Sequence, residues 1–189
     1  MKRVHKFIKN WLLPLFFLYL LSASAFADQD DVRLAELFRS LKSTGSVSRA
    51  SVFESKIWHI WMEHNDPEVE SAMFQGVEAM KLQQFEQAFG HFSLLIKLAP
   101  DYAEGWNQRA TVLYLMGRFK ESEADVLRTL ELEPRHFGAL SGQGLIRIAF
   151  QDWTGAIYFL ESALKINPHM HGVIMNLKYA RQKQKKSMT

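Results

Sequence analysis

A chain of 189 residues, 48% apolar and 13% aromatic, can build one ordinary domain with a sizeable core and still have a leader to spare. It has no cysteine, which excludes disulfides, zinc–thiolate sites, thiol catalysis and a lipidated cysteine. The formal charge of +3 is unevenly placed. Residues 1–27 hold four basic and no acidic residues, and the tail from Lys178 holds five basic and none acidic, so residues 28–177 carry 14 basic against 20 acidic, a net of −6. Such an acidic body argues against nucleic acid as a partner, because that affinity rests on neutralising phosphates.

In chain order, a basic stretch (residues 1–10) precedes the apolar run from Trp11 to Leu21, and then the small-residue segment Ser22–Ala27. These three regions in this order predict a secretory signal peptide, residues 1–27, cleaved after Ala27, with cleavage after Ala25 as a second option. The apolar run is shorter than the roughly 20 residues of a membrane-spanning helix. The expected compartment is the periplasm; the alternative is an uncleaved anchor in the inner membrane. Lys2-Arg3 is not a twin-arginine pair, so export of the unfolded chain is favoured.

Residues 28–65 predict a helical pair. Val32, Leu34, Leu37, Phe38 and Leu41 recur mostly at spacings of three and four, which marks an amphipathic helix. A break around Gly45 separates it from a second helix over Arg49–Glu63, with Ser48 as N-cap, rich in Ile57, Trp58, Ile60 and Trp61. The pair reads as a degenerate repeat that caps a repeat array beginning at Asp66.

The repeat itself is set by Pro100, Pro134 and Pro168, each 34 residues after the last. With each proline at position 32 of its block, position 8 reads Gly76, Ala110, Gly144 and position 20 reads Ala88, Ser122, Ala156. Position 17 reads Phe85, Phe119, Trp153, position 24 reads Phe92, Val126, Leu160, and position 30 reads Leu98, Leu132, Ile166. Small residues at 8 and 20 let two helices approach, large ones fill the space between blocks, and the proline stops the second helix. The predicted helices are 67–82, 85–98, 102–116, 119–131, 137–150 and 153–166. A final helix, 171–184, with Val173, Ile174 and Leu177 on its apolar side, closes the array.

These columns resemble the tetratricopeptide repeat, best in the middle block (Trp106, Ala110, Leu113, Gly117, Phe119, Ser122, Pro134). There are departures: position 7, usually Leu in the family, is Gln75, Arg109 and Gln143, and position 11 is Arg147 in the third block. The resemblance implies an all-α, right-handed α-α superhelix of three full repeats (67–100, 101–134, 135–168), a helical cap over 28–65 and a capping helix with a basic tail over 169–189. It also implies a concave side lined by the first helix of each pair, where the family holds peptides. That lining is Met73, Val77 and Met80, then Asn107, Thr111 and Tyr114, then Ser141, Leu145 and Ile148, then Met175 and Tyr179. Relatives that grip a carboxylate terminus use Lys, Arg and Asn there, and this chain has only Asn107 near the middle. The ladder of Met, Val, Tyr, Leu and Ile instead favours an apolar or amphipathic segment of another protein. The alternative is that the chain's own ends fill the groove.

Catalytic motifs are absent: there is no phosphate-cradling glycine loop, no Gly-x-Ser-x-Gly and no His-Glu-x-x-His. No cofactor is expected. His169-Met170-His171 is the best metal candidate and is read as an ordinary turn. Arg181–Lys186 reads as cations at a helix C-terminus; a weak contact with an anionic membrane surface is the second reading. The expected role is a non-enzymatic interaction adaptor of the bacterial envelope. The alternative is a structural subunit that self-assembles through an exposed aromatic cap around Trp58 and Trp61.

Overall fold

One short turn, used three times, organises the molecule. The computed structural model describes residues 29–188, and the described residues form nine α-helices and no strand. Six of them pair in sequence: α3 (Pro67–Lys81) with α4 (Phe85–Leu98), α5 (Ala103–Leu115) with α6 (Phe119–Leu132), and α7 (Phe137–Ala149) with α8 (Trp153–Ile166). The signal-peptide reading lies outside the described residues. No helix among the described residues is long and apolar enough to cross a membrane.

Each pair is joined at position 15, where Gln83, Gly117 and Gln151 all have left-handed backbone, with φ of 58°, 75° and 59°. The amide two residues after the last helical turn reaches back over five residues in all three cases: Gln84 to Ala79, Arg118 to Leu113 and Asp152 to Arg147, at 2.8–2.9 Å. This satisfies carbonyls that a helix end would leave without donors. Asp66 starts the first pair by accepting from the Glu68 amide at 2.8 Å, with Pro67 as the first helical residue.

Within a pair the small–large columns interlock. A side chain at Gly76 would strike the ring of Phe92, and one at Gly144 would come within 2.6 Å of Leu160. In the middle pair the Ser122 hydroxyl donates to the Ala110 carbonyl at 2.7 Å. The departures at position 7 have physical reasons. Arg109 grips Asp125 of α6 through two bonds of 2.7 and 2.8 Å and also reaches Ser93 of α4. Gln143, fully buried, donates to Glu123 of α6 at 2.7 Å, and Arg147 binds the same carboxylate. A leucine is replaced by a polar group whose main partner is also supplied, at the cost of leaving Gln143 Oε1 and Arg147 Nε buried without a hydrogen-bond partner. Gln75 has no preceding repeat and is exposed.

The pairs stack in order, and α9 (His171–Ser187) packs on α8 through Val173, Leu177 and Ala180. First helices of successive pairs touch, α5 with α7 and α7 with α9, whereas successive second helices make no comparable contact. The first helices therefore lie on the inner side of the curve, and the result is a tetratricopeptide-type solenoid.

The N-terminal pair departs from expectation. Helices α1 (Arg33–Ser43) and α2 (Val47–Met62) form a hairpin, but α2 is capped by Ser46 rather than Ser48, the Ser46 hydroxyl accepting from the Arg49 amide at 3.4 Å. More important, the hairpin does not stack on α3. It lies across the second-to-first-helix turns and touches α5 and α8. Its core of Leu34, Phe38, Leu41, Ala50, Ile57, Ile60 and Trp61 is completed by Phe137, the first residue of α7. The reason is where apolar surface is available. The exposed side of α3 offers Ser71 and Gln75, while the turns offer Phe137 and flanking Ile166 and Met170. Burying a large apolar side chain contributes about 1.5–3 kcal/mol.

Candidate functional site: the inner face and its partial cover

The hairpin meets the turns through a set of specific contacts. The indole of Trp61 stacks on His136 with centroids 4.1 Å apart and planes 8° from parallel. The Tyr102 hydroxyl donates to the Trp61 carbonyl at 2.6 Å. Trp58 meets His136 and Phe137 edge-on and covers Gly138, where a Cβ would come within 2.7 Å of its ring. Asn167 donates to Glu54 at 3.0 Å, and Gln29 donates to the Asp101 carbonyl while accepting from the Ala103 amide. Arg135 lies over the Phe38 ring at 4.6 Å, and its bond to Glu133 holds its guanidinium above the ordinary value. At the hairpin's start, the Arg33 guanidinium holds the Asp31 carboxyl below its usual range.

Under Trp61 lies a buried pair. His136 is the N-cap of α7: its Nδ1 accepts from the Ala139 amide at 3.0 Å, so Nε2 carries the proton and donates to Glu104 at 2.8 Å. Glu104 also accepts from Asn107 at 3.2 Å and Gln108 at 2.6 Å. A buried carboxylate is tolerable with such a donor set. His136 and Glu104 are 0% and 1% exposed, so the pair is walled off from any substrate and holds α5, α7 and α2 together.

Beyond the hairpin the inner face stays open over α5, α6 and α7. A cavity of about 90 Å³ brings together Asn107, Thr111, Tyr114 and Leu145 of the expected lining. Ala110, Ser122, Val126, Gly138 and Gly142 complete it, and none of its lining residues is charged. Two of its hydroxyls bond to backbone: Thr111 donates to the Asn107 carbonyl of its own helix at 3.0 Å, and Ser122 to the Ala110 carbonyl of α5. Asn107 is buried and spends its amide on Glu104, so it is not a free donor for a bound main chain. Hydrocarbon is what the cavity presents.

The other expected lining residues fall elsewhere. Met73 is 4% exposed and belongs to the core between α3 and α4, which corrects its assignment to the groove surface. Val77 and Met80 are half-buried against that same core. Ser141 is half-buried, Ile148 packs against the α8–α9 core, and Met175 and Tyr179 are exposed on α9, with Tyr179 edge-on to Trp153. The exposed aromatic cap is corrected at Trp61, which is 1% exposed; Trp58 is half-buried and spends much of its ring on His136, Phe137 and Gly138. His169 donates its amide to Asn167 in a turn, and His171 opens α9 exposed; among the described residues no group of three or more His, Cys, Asp or Glu residues gathers.

Sequence reasoning missed Glu104, His136 and Gly138. None lies in one of the matched columns: position 2 reads Glu70, Glu104 and Gly138, and His136 precedes it by two, so periodicity carried no sign of their roles. Trp58 and Trp61, three apart on one helix, were the available signal that this helix docks an aromatic face.

No family model matches the chain. A TPR repeat-containing protein of Rhizobium etli is 36% identical over 114 residues, 60% of this chain and 56% of that protein, so the chain spans about half the length of that curated relative. Among solved structures, the TPR2B domain of yeast Sti1 in complex with pHsp70 superposes with a TM-score of 0.60 at 23% identity, over 62% of this chain and 99% of that one. MamA superposes with a TM-score of 0.59 at 16% identity over 80% of this chain and 81% of its own. With the 34-residue period, the left-handed position 15 and the stacked pairs already in view, the chain has the tetratricopeptide-repeat fold and is similar to a curated TPR repeat-containing protein.

Proposed function

We propose that the protein is a non-enzymatic adaptor of the bacterial cell envelope that holds an apolar or amphipathic segment of another protein on the inner face of its repeats. The observation that carries this is the uncharged cavity between α5 and α7, whose Thr111 and Ser122 hydroxyls are already paired with backbone. Sti1 is seen with pHsp70, which supports a protein partner for a fold of this kind. The absence of a charged residue from the cavity favours an apolar ligand over an acidic one. The basic leader, apolar run and Ala25-Phe26-Ala27 support export to the periplasm with cleavage after Ala27.

The test exchanges Tyr114 and Leu145 for Glu and repeats a pull-down from the envelope fraction. Loss of the captured partner supports the groove, and an unchanged set rules it out. N-terminal sequencing of the protein from a periplasmic extract reads Asp28 first if the leader is removed as proposed; Met1 first contradicts it.

A further inference from the structure

The repeat stack has two open ends, and their chemistry is opposite. At the first end, α3 and α4 carry no preceding helix, because the hairpin has gone to the turns. In the later pairs the equivalent side is covered: Gly105 lies under Leu95 of α4, and Gln143 is bonded to Glu123 of α6. In the first pair it is a cleft of about 340 Å³ lined by Glu68, Ser71, Gln75, Leu94 and Leu98 among others. Leu94 is 49% exposed and Leu98 40%. The acidic residue Glu68, in the first turn of α3, lines it.

At the other end, among the described residues, no second helix follows α9. Its free side runs through Ile174, Lys178, Arg181 and Lys185, at helical spacings of four, three and four. Ile174 is 42% exposed and Met175, next to it, 61%. The helix holds five basic residues and no acidic one. Arg181 reaches Glu161 at 2.7 Å, while Lys178 and Lys185 make no ion pair among the described residues.

From these two ends we propose that copies of this chain associate head to tail, the free side of α9 in one copy lying in the α3–α4 cleft of the next. Ile174 and Met175 meet Leu94 and Leu98, and Lys178 and Lys185 face Glu68. The occupant is a helix, as in the interior pairs, and its charge complements Glu68. Such a contact joins two different surfaces, so it extends into a row rather than closing a dimer. It leaves the cavity between α5 and α7 uncovered, and it is independent of the groove reading.

The test is sedimentation of protein purified from cells expressing the full chain, in the processed form that accumulates. The weight-average mass rises with concentration in about 50 mM salt and falls back towards one copy in about 500 mM, because the contact is between exposed opposite charges. Reversing Lys178 and Lys185 to Glu abolishes association, as does reversing Glu68 to Lys. Mixing the two reversed proteins restores an alternating row, since both ends of each now match the opposite ends of the other. A single copy at every concentration in low salt, association indifferent to both reversals, or no pairing in the mixture overturns the proposal. So does a wild-type protein that stays single while α9 binds anionic phosphatidylglycerol vesicles, which would give the basic stripe to a lipid surface.

Discussion

Two kinds of helical hairpin, built from similar material, are held in different ways. The pairs α3–α4, α5–α6 and α7–α8 interlock by a contact used repeatedly, a small residue at position 8 facing position 20 or 24. The N-terminal hairpin has no such column. It docks through contacts used once: Trp61 on His136, Trp58 over Gly138, Tyr102 to the Trp61 carbonyl, and Asn167 to Glu54. A repeated contact propagates an array in one direction, whereas an unrepeated one ties three neighbouring turns together and bridges the repeats.

The comparison breaks most visibly at Trp61. Trp61→Ala removes a fully buried ring from a core of seven other residues and lowers stability by about 3–5 kcal/mol in chemical denaturation. Gly144→Val, on the repeated side, drives a side chain into Leu160 and costs about 1–3 kcal/mol. Gly138→Val makes the contrast sharper. It pushes on Trp58, so limited proteolysis between residues 63 and 66 speeds up while the repeats keep their protection in hydrogen exchange. Equal loss of protection in α1–α2 and α3–α8 would show that the hairpin and the array are one cooperative unit.

The smallest effect is stabilising. Gln83 and Gln151 hold the left-handed turn that Gly117 occupies without strain, and non-glycine residues there cost about 1–2 kcal/mol. Gln83→Gly and Gln151→Gly are therefore each expected to add up to about 1 kcal/mol, read as a rise of about 2–4 °C in the melting temperature. A fall at either site would mean that the glutamine side chain contributes more than its backbone costs.

Legibility in the sequence divides along the same line. The three prolines and the small–large columns place the six repeat helices within one residue of their ends, because each column constrains packing three times over. The position of the hairpin was not legible. Its sequence shows an amphipathic pair, but which surface that pair buries depends on Phe137, His136 and Gly138, three residues in a turn about 75 positions away, each with no counterpart in the other blocks. The inner-face lining was legible where the repeat register alone decides it, as at Thr111, Tyr114 and Leu145. It failed at Met73, which an end repeat draws into its own core, and at Asn107, whose amide is claimed by Glu104.

The docking of α1–α2 across the turns, rather than on α3, underlies the open α3–α4 cleft. The chain has no cysteine, so spin labels can be placed at will. Pairs at the exposed positions Ser55 and Lys165, and at Ser55 and Gln75, compare the two placements by double electron–electron resonance. With the hairpin across the turns, the 55–165 separation is the shorter of the two. A 55–75 separation typical of adjacent stacked helices, with 55–165 the longer, would put the hairpin on α3 as an ordinary leading repeat and contradict it.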